Sequence, residues 1–119
     1  METEPKSSIY NQFEKCLRRL KRVPLEKHFD LLQKKKFKSG RNINIYSIKP
    51  LFFQNSYALK EIKKLDNMFV EETNAMISLY ESLINLHNPH LVNIYCISNT
   101  NESMLVIQDL YERNLQEYL

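Results

Sequence analysis

From Met68 to His87 the sequence places Met76, Leu79, Tyr80, Leu83 and Leu86 at helical spacing and meets no glycine or proline before Pro89. Such a stretch reads as one long helix with a single apolar stripe. Its flanks follow a different rhythm. Upstream, "NINIYSIKP" alternates Ile43, Ile45 and Ile48 around a break at Tyr46 and stops before Pro50, and "SYALKEI" alternates again. Downstream, "LVNIYCIS" and "MLVIQDL" have strand length and are joined by the polar "NTNE" turn. The later part of "HFDLLQKKKFKSG" reads as a further strand that ends at Gly40, the only glycine. Strands, one long helix and strands again imply an α+β domain.

Two stretches lie outside this pattern. Residues 1–8 form a polar tail. From Ile9 the positions Ile9, Phe13, Cys16, Leu17 and Leu20 recur at helical spacing, and Lys15, Arg18, Arg19, Lys21 and Arg22 fill the other faces, so residues 9–28 read as a basic amphipathic helix and its linker. The simpler expectation is a capping helix that docks on the domain with a solvated basic face, and the other is a site for an acidic partner or a membrane surface. At the far end Asn114 can cap a final helix, "LQEYL".

The 119 residues suffice for one small domain. A net charge of +3 is too small to announce a nucleic-acid binder by itself, although Lys34, Lys35, Lys36 and Lys38 form a second basic cluster. Cys16 and Cys96 have no metal-ligand spacing, and no apolar run approaches the ~20 residues of a membrane span. A reducing cytoplasmic or nuclear location is the expectation. His28, His87 and His90 stand alone at element ends and read as surface or capping residues, and Asn101-Glu102-Ser103 reads as the polar tip of a turn.

One residue is out of place. The period of two puts Ala58 and Lys60 on one face of a short apolar strand and Tyr57 and Leu59 on the other. A half-buried ammonium needs an anion, a carboxylate or another acceptor.

The order of elements and three local stretches together supply one. "YALKEI" is similar to the V-A-I-K signature, "HNPHLVNIY" to the segment after the long helix, and "MLVIQDLYERNLQEYL" to a fifth strand, hinge and following helix, so that residues 29–119 resemble the N-terminal lobe of a eukaryotic protein kinase. The resemblance implies a five-stranded antiparallel sheet with one long helix packed on it, preceded here by the amphipathic helix. It implies a weak ATP site in which Lys60 meets the α- and β-phosphates and a glutamate of the long helix. Ala58 and Ile45 would leave room for the adenine, Ile107 would stand at the back of the pocket, Gln108 and Leu110 would offer backbone groups to the adenine edge, and Asn114 would lie near the ribose. Taken singly, Ala58, Ile45 and Ile107 are equally well read as core residues.

The departures narrow the function. Over the family's G-x-G-x-x-G the sequence "KSGRNI" keeps only the middle glycine, Gly40, with Lys38 and Ile43 at the outer positions. Counting to the helix glutamate lands on Leu79, within the apolar stripe, with Glu81 on the opposite face and Glu72 two turns back. Neither H-R-D-L-x-x-x-N nor D-F-G occurs in the sequence. The expectation is a degenerate, pseudokinase-like lobe of Ser/Thr kinase kinship, not catalytic by itself, a piece of something longer, whose apolar underside is covered by another protein or by a missing C-terminal lobe. The competing reading is a non-enzymatic interaction protein whose basic helix binds acidic protein or nucleic acid.

Overall fold

In the computed structural model, which describes residues 8–64, 70–84, 86 and 93–110, the alternating runs form strands and the two long helical patterns form helices. Helix α1 (Ser8–Leu20) leads through one turn of 3-10 helix (Leu25–Lys27) into strands β1 (Phe29–Ser39), β2 (Ile43–Pro50) and β3 (Tyr57–Lys63). Helix α2 (Val70–Ile84) precedes β4 (Ile94–Asn99) and β5 (Ser103–Asp109). The five strands make one sheet in the order β1-β2-β3-β5-β4, and every neighbouring pair is antiparallel. The α+β architecture is as expected, and β3 is the central strand.

Strand alternation sends side chains to two separate cores. Tyr57, Leu59 and Ile107 join Leu17 of α1, Phe29, Ile48 and Tyr95 on one face, and Met104 and Val106 join Ile94, Ile97 and the α2 residues Ile77 and Ile84 on the other. The sheet is thus sandwiched between its helices. Each fully buried large side chain contributes roughly 1.5–3 kcal/mol, so both layers are needed to offset the ordering of so short a chain.

Helix α1 docks on the sheet, as the capping reading expects, but through a different stripe. Tyr10, Phe13, Glu14 and Leu17 turn inward, whereas Ile9 and Leu20 are 58% and 51% exposed and Cys16 is exposed. Specific partners explain the rotation. The Tyr57 hydroxyl donates to Glu14 Oε2 at 2.7 Å, the Tyr10 hydroxyl accepts the backbone N–H groups of Gln54 and Asn55, and Phe13 stacks against Phe29 and Phe53.

The helix ends at Lys21, whose φ of 62° is left-handed and whose N–H donates to the Leu17 carbonyl. Residues 21–23 then run along the outer edge of β4, with Ile97 N–H donating to Lys21 O at 2.7 Å and Val23 N–H to Ile97 O at 3.0 Å. That edge is covered. The opposite edge, β1, is protected by charge and irregularity: its ladder with β2 shifts register between Asp30 and Lys35 and again between Lys36 and Lys38. It also begins earlier than the sequence suggests, at Phe29, whose buried ring pulls the start of the segment into the sheet.

Within α2 the expected stripe holds at Met76, Tyr80 and Leu83 and fails at Leu79 and Leu86. Ile77 and Ile84 are buried and Met76, Tyr80 and Leu83 pack beside them, whereas Leu79 and, just past the helix, Leu86 are 57% and 54% exposed. Two apolar stripes compete on this sequence, and the one with paired isoleucines fits the sheet. The expected helix ends at Met68 and His87, together with His90, Asn114 and the terminal "LQEYL", lie outside the described residues.

Candidate functional site

Strand register aligns the proposed site residues in two rows across the sheet. In one, Lys38, Ile45, Lys60, Val106 and Ile97 stand opposite one another in turn, and in the other Lys35, Ser47, Ala58, Gln108 and Ile94 do so. Residues directly opposite in an antiparallel pair share a face. That face is the one α2 packs on, because Val106, Ile94 and Ile97 belong to the α2 core. Helix α2 lies over the β4 and β5 half, and among the described residues no helix packs over the β1 and β2 half. Lys60 stands at the border between them.

The ammonium of Lys60 has found a tyrosine. Its Nζ donates to the Tyr80 hydroxyl at 3.4 Å and lies 5.9 Å from the centre of that ring. A long hydrogen bond to a neutral hydroxyl is weak, about 0.5–1 kcal/mol, and leaves the ammonium able to donate to a stronger anionic partner. Among the described residues no carboxylate pairs with it. Glu81 is held by Arg22, with Nε at 2.9 Å from Oε2 and Nη2 at 3.1 Å from Oε1, and this pairing lowers the Glu81 pKa and raises that of Arg22. Glu72 is exposed, and Leu79, the position found by counting, is a surface residue. Glu61 belongs to the other face, where it accepts from Asn44 Nδ2 at 2.9 Å and from the Tyr46 hydroxyl at 3.4 Å. Burial, first, and the Glu61 charge, second, raise the Tyr46 pKa.

The remaining proposed residues divide. Ala58, 1% exposed, and half-buried Ile45 form a small apolar floor beside Lys60, and half-buried Gln108 stands opposite Ala58. Ile107 is displaced from the expected role: fully buried in the α1 core, it points away from the Lys60 face, since the period of two gives that face to Val106 and Gln108. Leu110, just past β5, is half-buried. Gly40 occupies the β1–β2 turn, but its N–H donates to Ile43 O at 2.7 Å and its φ is not positive. A Cβ there would come within 3.1 Å of the same oxygen, so close backbone approach explains the glycine. That amide is already used and is not directed at a ligand.

The basic N-terminal helix is partly engaged within the molecule. The Arg18 guanidinium lies 4.8 Å from the centre of the Tyr95 ring, and Arg22 is bound to Glu81, which leaves Lys15 and Arg19 exposed. Tyr80 is the site residue that sequence reasoning missed. Its signal was its place four residues from Met76 on a helical face, but only strand register shows that this face meets Lys60. Among the described residues no group of His, Cys, Asp and Glu is arranged to hold a metal ion, and no helix is long and apolar enough to cross a membrane. No protein-family model and no curated protein matches the sequence.

Proposed function

We propose that residues 29–119 form a degenerate protein kinase-like N-lobe that binds a nucleotide weakly and does not catalyse phosphoryl transfer by itself. One observation carries this reading: a lysine on the central strand shares a sheet face with a small apolar floor, beside the long helix and with no carboxylate partner among the described residues. Adenine could lie against Ile45 and Ala58 and phosphate could replace Tyr80 as the partner of Lys60, with Lys38 in the same row. Gln108, and not Ile107, is the side chain that would border the ring, while Leu110 and Asn114 keep the hinge and ribose roles that the resemblance gives them. The base and metal ligands that position a nucleophile in this family lie in segments that this sequence does not contain. The β1–β2 half of the face is where a second lobe or a partner protein would sit.

Calorimetric titration with ATP tests the reading. The expected result is a saturable interaction that Lys60→Met weakens at least tenfold, and unchanged affinity in that variant would refute the assignment of Lys60.

A further inference from the structure

The geometry points to a second anion-binding site, at the far end of the same sheet face, suited to a small phosphate-bearing molecule. A concavity of about 650 Å³ there is lined by Lys34, Lys35, Lys49, Ser47, Ser56 and Phe37. Its size falls in the range of small-ligand sites, roughly 300–1,000 Å³. Lys35 stands opposite Ser47, and Lys49 lies two residues further along the same face of β2, so the two lysines converge on one hollow.

Among the described residues no acidic side chain lines it. The Lys34 ammonium sits over the Tyr46 ring at 4.5 Å, and among the described residues neither Lys35 nor Lys49 pairs with a carboxylate. Asp30 is opposite Lys49 in register, yet its Oδ1 accepts the Leu32 N–H at 3.2 Å and it does not line the hollow. Like charges gathered on one sheet face are unfavourable unless an anion joins them. Protection of an exposed sheet edge accounts for the lysines of β1. It does not account for Lys49, because β2 is flanked on both sides by strands. Two ammonium groups with the Ser47 and Ser56 hydroxyls supply charge-assisted and neutral donors of the kind that hold a phosphate.

This site adjoins the proposed nucleotide floor, since Ser47 stands opposite Ala58, but its charge is separate: Lys49 is four residues, about 13 Å, along β2 from the row of Lys60. Titration of the isotope-labelled full chain with inorganic pyrophosphate at constant ionic strength, followed by amide NMR, tests it. Saturable shifts are expected at Lys35, Ser47, Lys49 and Ser56. Affinity should fall at least tenfold in the Lys35→Gln/Lys49→Gln double variant and stay within twofold in Lys60→Met. The proposal is overturned if the double variant, shown to be folded by its spectrum, binds as the parent does, if sodium chloride reproduces the shifts, or if Lys60→Met abolishes them.

Discussion

The ammonium of Lys60 and the hydroxyl of Tyr80, 3.4 Å apart, tie the centre of the sheet to α2, and among the described residues no carboxylate joins them. Tyr80→Phe removes the acceptor but keeps the ring in the core formed with Ile77 and Ile84, so it should cost less than about 1 kcal/mol. Tyr80→Ala also removes the packing and should cost about 2–4 kcal/mol. Urea unfolding of both variants measures the difference. Equal losses would mean that the hydroxyl, and not the ring, carries this contact.

A second contact fixes the other helix. Glu14 is 6% exposed and accepts the Tyr57 hydroxyl at 2.7 Å. A buried carboxylate deprived of a donor is costly, so Tyr57→Phe should destabilise by about 1–3 kcal/mol. Glu14→Gln, which retains an acceptor oxygen, should cost less than Glu14→Ala. A double-mutant cycle over positions 14 and 57 should give a coupling of at least about 0.5 kcal/mol, and additivity would show that this hydrogen bond does not help to hold α1.

High pH probes the same core. Burial, reinforced by hydrogen bonds to Glu14 and Asp109, raises the pKa values of Tyr57 and Tyr95 above the ordinary 10.0. Because the folded values are raised, this stabilisation is complete below pH 10 and is lost as the pH rises above it. Thermal midpoints should therefore fall progressively above about pH 10. Phenolate absorbance from these two residues should appear only with unfolding. Ionisation of all seven tyrosines near pH 10 in the folded chain would contradict it.

Lys21 offers a backbone test. Its φ of 62° is strained for a side chain with a Cβ, and its N–H and carbonyl are both used at the end of α1 and the edge of β4. Lys21→Gly should relieve the strain and raise stability by about 0.5–1 kcal/mol in chemical denaturation. A loss of stability would show that the lysine side chain contributes more than its conformation costs.

The sequence made the sheet legible because its apolar runs have strand length and are bounded by turn residues, and because the long helix lacks breakers. Periodicity could not fix phase. Leu79 and Leu86 satisfy a helical stripe as well as Ile77 and Ile84 do, and only the shape of the sheet surface decides between them. Glu14 was invisible as a core residue because its partner, Tyr57, is distant in sequence. In the site, the shared face of Ala58 and Lys60 followed from the period of two, whereas the place of Ile107 required the β3–β5 register. Tyr80 and the Lys35 and Lys49 hollow depended on tertiary neighbours that spacing along the chain does not encode.

Amide NMR of the full chain titrated with ATP addresses the central claim most directly. The account predicts saturable shifts that cluster at Ile45, Ala58, Lys60, Val106 and Gln108, accompanied by a change at Tyr80 as its lysine turns to phosphate. Shifts confined to the exposed basic residues of α1, or none at millimolar ATP, would contradict it.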